Sequence, residues 1–291
     1  MNQTALMSRF KKVLPNRIVT DIKNIRNSLL ILSIHEAVQE QGLSGIIEQL
    51  TTIVPDIMHQ YSTYDLDSDY LKTNVRAVHA FQIYLVNQAL QPLIKNNITI
   101  IDIGDSAGTH IRYLQNLYRD YKIRFLSVNL DETAVDKIKS MGLEAICCRA
   151  EELTEYSIDA DIFLSFEMLE HLMNPSKFLK DLSDKTACKR LVVTVPYISN
   201  SRVGLHHIRG GDKNKKCTPE NTHIFELSPL DWKLIFMHSG WKILSEKIYL
   251  QYPKKGLLHL MKGYWKKNDF EGFYGAVLMR DHSWSQMYNG C

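Results

Sequence analysis

The stretch that most constrains the fold covers residues 98–114, with the sequence ITIIDIGDSAGTHIRYL. Four isoleucines flank a single acidic residue, Asp102, and this β-branched apolar run predicts a strand that is covered on both faces, as central strands of parallel sheets are. Gly104 and Gly108 predict a tight loop, and a helical pattern follows them. Because a helix begins with unpaired N–H groups, a ligand can approach the backbone there. We therefore expect a ligand-binding loop.

The glycine spacing argues against a nicotinamide dinucleotide as that ligand. A dinucleotide fingerprint needs G-x-G-x-x-G, but Ser106 and Thr109 occupy the second and third glycine positions. The order acid, x, Gly, x, small, x, Gly resembles the first motif of class I S-adenosylmethionine-dependent methyltransferases, D-x-G-x-G-x-G, with serine replacing the middle glycine. A plain strand-to-helix turn is the alternative. The resemblance implies a cofactor site made of Asp102, Gly104, Asp105, Ser106 and Gly108.

Composition and charge limit the remaining classes. A chain of 291 residues that is 45% hydrophobic and 23% charged predicts an ordinary globular protein with one α/β domain and an additional lobe. No apolar run approaches the roughly 18 residues of a membrane span, and the start of the chain lacks a signal sequence, so we expect a cytoplasmic protein. Five cysteines without C-x-x-C spacing predict free thiols and no metal site. A net charge of +3 is too small to indicate nucleic acid.

Residues 1–96 predict a lobe of helices. Gly42 is expected to end the first helix, which covers residues 21–41, and Ser44 to cap a second helix that stops before Pro55. A third helix is predicted over 67–93. The apolar residues expected to form the buried face of the first helix are Ile22, Ile25, Leu29 and Leu32, widened by Ile31, Ile34, Ala37 and Val38.

In methyltransferases of this class, a helical segment before the first strand often covers the cofactor. The resemblance therefore implies that Tyr61, Tyr64 and Arg76 are candidates for cofactor contact. A lobe that only packs or dimerises is the alternative.

Two further predicted strands supply candidates for the sugar and the adenine. Residues 125–130 predict a strand, followed by a helix over 132–140 and a stop at Gly142. The resemblance implies ribose contacts from Asn129, which stands in place of the family's carboxylate, and from Leu130. After a third strand over 144–148, the family's acid-Ala-acid-acid-Leu run is matched from Arg149 onward and implies adenine contacts from Ala150 and Glu151. Solvated acids at a helix start are the alternative.

The fourth predicted strand gives the closest match to the family. An acid-led apolar run over 159–166 is followed by EMLEHL and then by Asn174-Pro175. This resembles the segment that passes beside the methionine part of the cofactor, which implies contacts from Phe166 and Glu167. His171 has two interpretations: a base that takes a proton from an acceptor hydroxyl, suited by an ordinary pKa near 6.5, or a residue that orients the loop by hydrogen bonding.

Beyond a fifth strand over 190–195, the stretch 198–227 is long for a loop and rich in basic residues and histidines. We expect it to recognise an acidic or phosphorylated acceptor, with a solvated loop as the alternative. Its histidines are His206, His207 and His223.

The C-terminal part predicts a capped helix and two strands. Ser228 is the expected N-cap, Pro229 the first helical residue and Gly240 the stop, with Leu230, Leu234, Ile235 and Met237 facing inward. Strands over 241–250 and 273–279 form the antiparallel pair that distinguishes this fold from a nicotinamide Rossmann domain. Between them, residues 253–270 predict a packed helix, with contact to an anionic membrane surface as the alternative. The apolar face of that helix is expected to contain Leu257, Leu260, Met261, Tyr264 and Trp265.

The order of these elements is similar to that of a class I methyltransferase. It implies an α/β fold with a doubly wound seven-stranded sheet over residues 97–291, insertions at 198–227 and 253–270, and the helical lobe over 1–96. The implied function is methyl transfer from S-adenosylmethionine to a small-molecule, glycan or lipid-linked acceptor, at oxygen. His223 and His171 are the first candidates for the base that an oxygen acceptor requires, ahead of His206 and His207.

Two other functions stay open at this stage. A protein of the same fold could bind the cofactor without catalysing, because Ser106, Asn129 and Arg149 depart from the family pattern. A nucleic-acid methyltransferase is the second, but the segment Asn174-Pro175-Ser176-Lys177 is not an acceptor motif of the N-P-P-Y type. The sequence does not define the oligomeric state.

Overall fold

A computed structural model describes residues 16–61, 65–94, 97–156, 158, 160–204, 222–268 and 270–288. The α-helices of this part are α1 (Asn16–Glu40), α2 (Ser44–Ile53), α3 (Asp69–Leu90), α4 (Thr109–Leu117), α5 (Glu132–Ser140), α6 (Pro175–Lys185), α7 (Pro229–His238) and α8 (Met261–Asn268). The strands are β1 (Ile98–Ile103), β2 (Ile123–Asn129), β3 (Ala145–Cys147), β4 (Ile162–Phe166), β5 (Arg190–Tyr197), β6 (Arg202–Val203), β7 (Phe225–Glu226), β8 (Trp241–Leu250) and β9 (Gly272–Arg280).

Seven strands form one mixed sheet in the order β3-β2-β1-β4-β5-β9-β8. The first five run parallel, and β9 is antiparallel to both β5 and β8. The predicted doubly wound seven-stranded sheet with an antiparallel pair at its end is therefore confirmed. The strand order reverses between β1 and β4, and in open α/β sheets such a switch point opens a crevice at the carboxyl ends of the strands.

The register brings the predicted motifs to that crevice. Ile103 at the end of β1 pairs with Val128 of β2 on one side and with Ser165 of β4 on the other. The loops that follow these three strands therefore start at the same edge of the sheet. The small ribbon of β6 and β7 lies outside the main sheet.

Helix α3 packs directly on the sheet. A Cβ atom at Gly275 of β9 would lie 2.3 Å from Leu85 Cδ1 and 2.8 Å from Phe81 Cζ, so only glycine permits this close approach. One buried apolar cluster includes side chains of α1, α2, α3 and the sheet. The predicted boundary between a lobe over 1–96 and a domain over 97–291 stays a prediction.

The predicted buried face of α1 is wrong in part. The side chains of Ile22, Ile25, Leu29 and Leu32 are exposed among the described residues, whereas Leu30, Ile34, Ala37 and Val38 are buried. The helix carries two apolar stripes, and contacts with α3 select the second one. The predicted stop at Gly42 is confirmed by a φ of +74° that ends the helix.

The cap of α2 differs from the prediction. Ser44 is the first helical residue and Leu43 holds the N-cap position, without a side-chain cap bond. In α7, by contrast, the Ser228 side chain accepts a hydrogen bond from the Asp231 N–H, as predicted.

The predicted inward face of α7 is wrong in part, since Ile235 packs against the buried apolar cluster as predicted. Leu230 and Leu234 are exposed, while Trp232 and Phe236 are fully buried. These two aromatic side chains lie four residues apart and stack with their ring centroids 6.0 Å apart, so the larger apolar pair determines which face packs on the sheet.

The segment between β8 and β9 is only partly packed. Trp265 of α8 is fully buried and stacks with Tyr70, which confirms the packed part. Leu257 and Leu260 lie in a 3-10 turn before α8 and are exposed, so the predicted common face is wrong for these two residues.

Two further observations concern cysteines and membranes. Cys147, Cys148 and Cys188 are free thiols, as predicted, and Cys217 and Cys291 lie outside the described residues. Among the helices that the structure describes, none has the length and apolarity needed to cross a bilayer.

Candidate functional site

The loop after β1 depends on its two glycines. Gly104 has a φ of +92° and Gly108, which caps α4, has a φ of +69°. A Cβ atom at Gly108 would lie 2.9 Å from Leu143 Cδ1, and one at Gly104 would lie 3.4 Å from Met168 Cγ. The loop therefore requires glycine for its backbone conformation at both positions and for space at Gly108.

A buried acidic cluster lies within this loop. Asp102, Asp105 and His110 are all buried, and Asp102 Oδ2 is 3.2 Å from His110 Nδ1. Burial, followed by the negative charge of Asp102, raises the pKa of Asp105 from 3.8 to about 7. Burial alone would lower the pKa of His110, but the hydrogen bond and charge of Asp102 raise it above its ordinary value. Neither Asp105 carboxylate oxygen has a hydrogen-bond partner of normal geometry among the described residues.

A chain of hydrogen bonds connects this cluster to the neighbouring strand. His110 Nε2 lies 2.8 Å from Gln82 Oε1, and Gln82 Nε2 donates to Thr194 Oγ1 of β5 over 3.2 Å. His79 contacts His110 edge-to-face with ring centroids 4.7 Å apart, and burial lowers its pKa well below the ordinary value. The sequence reasoning missed Gln82 and His79, because both lie on α3 and meet the loop only through the tertiary fold.

Arg76 holds the end of α2 in place. Its guanidinium donates to the carbonyl oxygens of Leu50 at 3.2 Å and Val54 at 2.8 Å, and to the Tyr113 hydroxyl at 2.7 Å. The Leu50 carbonyl also accepts from the Val54 N–H, and Arg76 donates in addition to the Pro55 carbonyl over 3.2 Å, so its bonds anchor the chain where α2 ends. These contacts agree with the alternative that Arg76 helps to pack the N-terminal helices. Tyr61 packs against the apolar core, and Tyr64 lies outside the described residues.

The segment before α3 passes over the glycine loop. Ser106 Oγ donates to the Gln60 carbonyl over 3.0 Å, and Gln60 is buried. Lys137 Nζ on α5 donates to the carbonyl of His59 in the same segment. Part of the N-terminal region, between α2 and α3, therefore lies over the glycine loop, and contact of this region with a cofactor stays a prediction.

The predicted ribose residues follow β2. Asn129 Nδ2 donates to the Asp105 carbonyl over 3.1 Å, and Asn129 Oδ1 accepts from the Asp131 N–H at 2.8 Å. Asp131 in turn caps α5 by accepting from the Thr133 N–H. Asn129 therefore ties the β2 end to the glycine loop, and the adjacent Leu130 is exposed.

The predicted adenine residues lie in a 3-10 turn over Ala150–Tyr156. Ala150 is half-buried against an apolar cluster, and a Glu151 carboxylate oxygen lies 3.7 Å from the Arg149 guanidinium. This turn follows β3 at the same edge of the sheet as the glycine loop.

The end of β4 carries the strained residue of the site. Glu167 has a φ of +50°, the one positive φ outside glycine among the described residues, and its N–H donates to the Thr194 carbonyl at 2.9 Å. Burial raises the pKa of Glu167 from 4.5 to about 8. Phe166, immediately before it, packs against His110 with ring centroids 4.9 Å apart. A left-handed glutamate at a strand end indicates a conformation retained for a site.

A second polar cluster contains both predicted catalytic histidines. The rings of His171 and His223 are perpendicular, with their centroids 4.7 Å apart. His171 Nδ1 lies 3.1 Å from the Thr222 carbonyl, which can only accept, so this nitrogen donates. His223 Nδ1 lies 3.4 Å from Glu226 Oε1. Histidines that are distant in sequence therefore meet, while His206 and His207 lie outside the described residues.

Carboxylates surround this histidine pair. Glu170 is buried with 1% of its surface exposed, and its pKa is well above the ordinary value because of burial and then the charge of Glu167. Burial alone would raise the pKa of Glu226, but hydrogen bonds with His223 and Arg202 hold it below the ordinary value. The sequence reasoning did not select Glu170 or Glu226, although both lie within the matched motifs.

Among the described residues, two groups of three side chains could hold a metal ion, judged by donor type and distance. They are Asp102, Asp105 and His110, and Glu170, His171 and His223, each with ligand atoms within 4.8 Å of one another.

No protein-family model matches the sequence, and no curated protein matches it. Among solved structures, the cyclase SpnF matches with a TM-score of 0.51 at 12% identity, covering 84% of this chain and 97% of the other. A protein of Galdieria sulphuraria, assigned provisionally as a sarcosine dimethylglycine methyltransferase, matches with a TM-score of 0.50 at 11% identity, covering 73% and 87%.

This chain has the class I methyltransferase fold. The strand order and the antiparallel β9 agree with these similarities over most of the chain. One of the two matched structures is named as a cyclase, so the methyltransferase fold does not by itself determine the reaction. Function has to be argued from the site.

Proposed function

We propose that the chain transfers a methyl group from S-adenosylmethionine to a hydroxyl oxygen of a small-molecule, glycan or lipid-linked acceptor. The observation that carries this proposal is the carboxylate of Asp105, which is buried in the glycine loop with 2% of its surface exposed and has no hydrogen-bond partner of normal geometry among the described residues. Buried charges persist in proteins when a partner neutralises them. S-adenosylmethionine carries an ammonium and a sulfonium group, so the residues present fit this cofactor.

We divide the predicted contacts among the parts of the cofactor. We assign the amino-acid part of the cofactor to Asp105 and to the backbone from Gly104 to Gly108, with Asp102 and Ser106 supporting that loop. The sugar is assigned to Asn129 and Leu130, the adenine to Ala150 and Glu151, and the methionine side to Phe166 and Glu167. All follow the carboxyl ends of β1, β2, β3 and β4, where class I folds bind ligands.

When bound, the cofactor supplies a methyl carbon that forms a bond to an acceptor oxygen while the carbon–sulfur bond breaks, its electron pair remains on sulfur, and the hydroxyl proton leaves. The protein contributes mainly by holding donor and acceptor in line, which raises their effective concentration. His171 and His223 are the groups we assign to activation of the hydroxyl. Because His171 Nδ1 donates to the Thr222 carbonyl, Nε2 is the ring nitrogen that we assign to proton acceptance.

Surface features support a lipid-linked acceptor within this class. Leu257 and Leu260 are exposed with 86% and 76% of their surface accessible. Lys254, Lys255 and Lys262 are close to them in sequence. Apolar side chains beside lysines suit the surface of an anionic membrane.

The experiment uses the full chain and radiolabelled S-adenosylmethionine. Methyl transfer is measured with a cell extract fractionated by size and by solvent extraction, in parallel with calorimetric titration of the cofactor. We expect binding and labelling of one fraction by the wild type, and loss of labelling in the variant Asp105→Asn. Binding without labelling of any fraction would favour the non-catalytic alternative. Labelling of the nucleic-acid fraction would favour a nucleic acid as the methyl acceptor.

A further inference from the structure

Glu170, His171 and His223 converge just after β4, and each offers one atom that can bind a metal ion. These three atoms lie within 4.8 Å of one another, and the distance from His171 Nε2 to Glu170 Oε1 is 4.0 Å. We propose that the three side chains hold a divalent cation of the first transition series. This cation site would replace the sequence-based expectation of no metal, which rested on cysteine spacing.

The buried carboxylate of Glu170 is the first argument. Its side chain is almost fully buried, and neither of its oxygens has a hydrogen-bond partner in the part of the chain that the structure describes. The carboxylates of Glu167 and Glu226 lie close enough to add to the negative charge. Arg202 pairs with Glu226, which leaves Glu170 without that compensation. A bound cation is the partner that such a carboxylate requires.

The orientation of the two imidazoles is the second argument. Metal-binding histidines usually donate their other ring N–H to a backbone carbonyl or a carboxylate, which fixes the ring and its tautomer. His171 shows the carbonyl version, with Nδ1 3.1 Å from the Thr222 oxygen. His223 Nδ1 faces a carboxylate, with Glu226 Oε1 at 3.4 Å, an ion-pair distance without hydrogen-bond geometry. Both partners lie on the chain segment that leads into β7, so one segment orients both rings.

The donor set indicates the class of cation. Two imidazole nitrogens and one carboxylate oxygen suit Zn²⁺, Mn²⁺, Fe²⁺ or Co²⁺, whereas Mg²⁺ and Ca²⁺ prefer oxygen ligands throughout. Bonds of about 2.1 Å require ligand atoms about 3.0–3.4 Å apart. The observed distance of 4.0 Å between His171 Nε2 and Glu170 Oε1 closes with side-chain movements of about 1 Å.

Three protein ligands leave coordination positions open, as catalytic metal sites do. This role rests on the proposed function: a hydroxyl of the acceptor that coordinates the cation would lose its proton to water more readily, because the cation lowers the hydroxyl pKa. His171 and His223 would then act as ligands, and direct proton acceptance by either ring would be unnecessary.

The test uses the untagged full chain after treatment with a chelator. Binding of Mn²⁺ is measured from the loss of the free-ion signal in electron paramagnetic resonance, with Zn²⁺ and Mg²⁺ as competitors. We expect one Mn²⁺ per chain, displacement by Zn²⁺, and no displacement by Mg²⁺ at the same concentration. Glu170→Gln and His223→Gln are each expected to weaken Mn²⁺ binding by roughly tenfold or more.

His282→Gln is the matched control. His282 also lies near a carboxylate, 3.5 Å from Asp184, but outside this cluster, and its loss is expected to leave Mn²⁺ binding unchanged. Mn²⁺ is expected to raise the unfolding temperature of the wild type but not that of Glu170→Gln.

The site is refuted if neither Mn²⁺ nor Zn²⁺ binds the wild type at about 1 mM, the weak end of specific affinities, or if Glu170→Gln binds as tightly as the wild type. Calorimetry with S-adenosylmethionine separates this result from the proposed function. Metal binding without cofactor binding contradicts the proposed function alone. Cofactor binding without metal binding contradicts the cation site alone.

Discussion

The substitution Asp105→Asn tests the electrostatics of the glycine loop through stability. Burial and the charge of Asp102 raise the pKa of Asp105 from 3.8 to about 7 in the folded protein. Each pKa unit corresponds to about 1.4 kcal/mol, so ionisation of this carboxyl costs the folded state about 4 kcal/mol once the pH exceeds 7. Because the folded pKa is raised, the contribution of Asp105 to stability is complete below pH 3.8 and is lost as the pH rises to about 7.

Asparagine has nearly the same size and cannot ionise in this range, so the variant lacks this loss. We expect the free energy of unfolding of Asp105→Asn, relative to the wild type, to increase by about 3 kcal/mol between pH 5 and pH 8. Urea unfolding without ligand, followed by fluorescence of the four tryptophans, measures the difference at each pH. Asp136→Asn, at an exposed position on α5, is the control and should show no such increase. An equal difference at both pH values would refute the reasoning.

Four other substitutions give expected outcomes that urea unfolding can measure. Gly108→Ala should destabilise the protein by about 1–3 kcal/mol, because φ is +69° and the new Cβ would lie 2.9 Å from Leu143; an unchanged midpoint would contradict the account of the loop. Arg76→Met should cost about 3 kcal/mol because the carbonyls of Val54 and Pro55 lose its hydrogen bonds, and it should leave cofactor affinity unchanged in the folded fraction, whereas a loss of affinity at full stability would show direct contact. Trp232→Ala should lower the free energy of unfolding by about 3–5 kcal/mol and Leu234→Ala by less than about 0.5 kcal/mol. Equal losses would contradict the observed burial of Trp232 and exposure of Leu234.

The parts of the fold that the sequence predicted correctly are those that local chemistry determines. Glycines with positive φ at positions 104, 108 and 142 mark a loop or a helix end whatever surrounds them. The apolar runs of β1 and β4 predict buried strands from local sequence alone. Ser228 with Pro229 likewise defines the start of α7. These signals predict the order of strands and loops, and hence that the candidate cofactor residues lie at one edge of the sheet.

Features that depend on distant partners were not predictable from the sequence. Leu234 and Trp232 lie on different faces of α7, and contact with the sheet decides which face is buried. The two apolar stripes of α1 are ambiguous in the same way, because contact with α3 decides which of them is buried. Gln82 reaches Thr194 from a helix more than 100 residues earlier in the chain, a pairing that no local pattern indicates.

In the candidate site, too, the sequence predicts what depends on a local motif and does not predict what depends on distant partners. The motif around His171 predicted a histidine in the crevice, but not that Glu170 would be buried unpaired beside it. His223 was selected as a base because of its chemistry, and its proximity to Glu226 and His171 emerges only from the fold. The hypothesis of a cation site therefore required the structure.

Calorimetric titration of S-adenosylmethionine into the full chain tests whether the glycine loop after β1 binds this cofactor. We expect one site per chain with a dissociation constant between about 1 µM and 1 mM, the range of Michaelis constants that is typical of enzymes. We also expect loss of that binding in Gly104→Val, because φ is +92° and the new side chain would extend from a Cβ already 3.4 Å from Met168. Absence of binding heat by the wild type, or equal binding by Gly104→Val, would contradict the account.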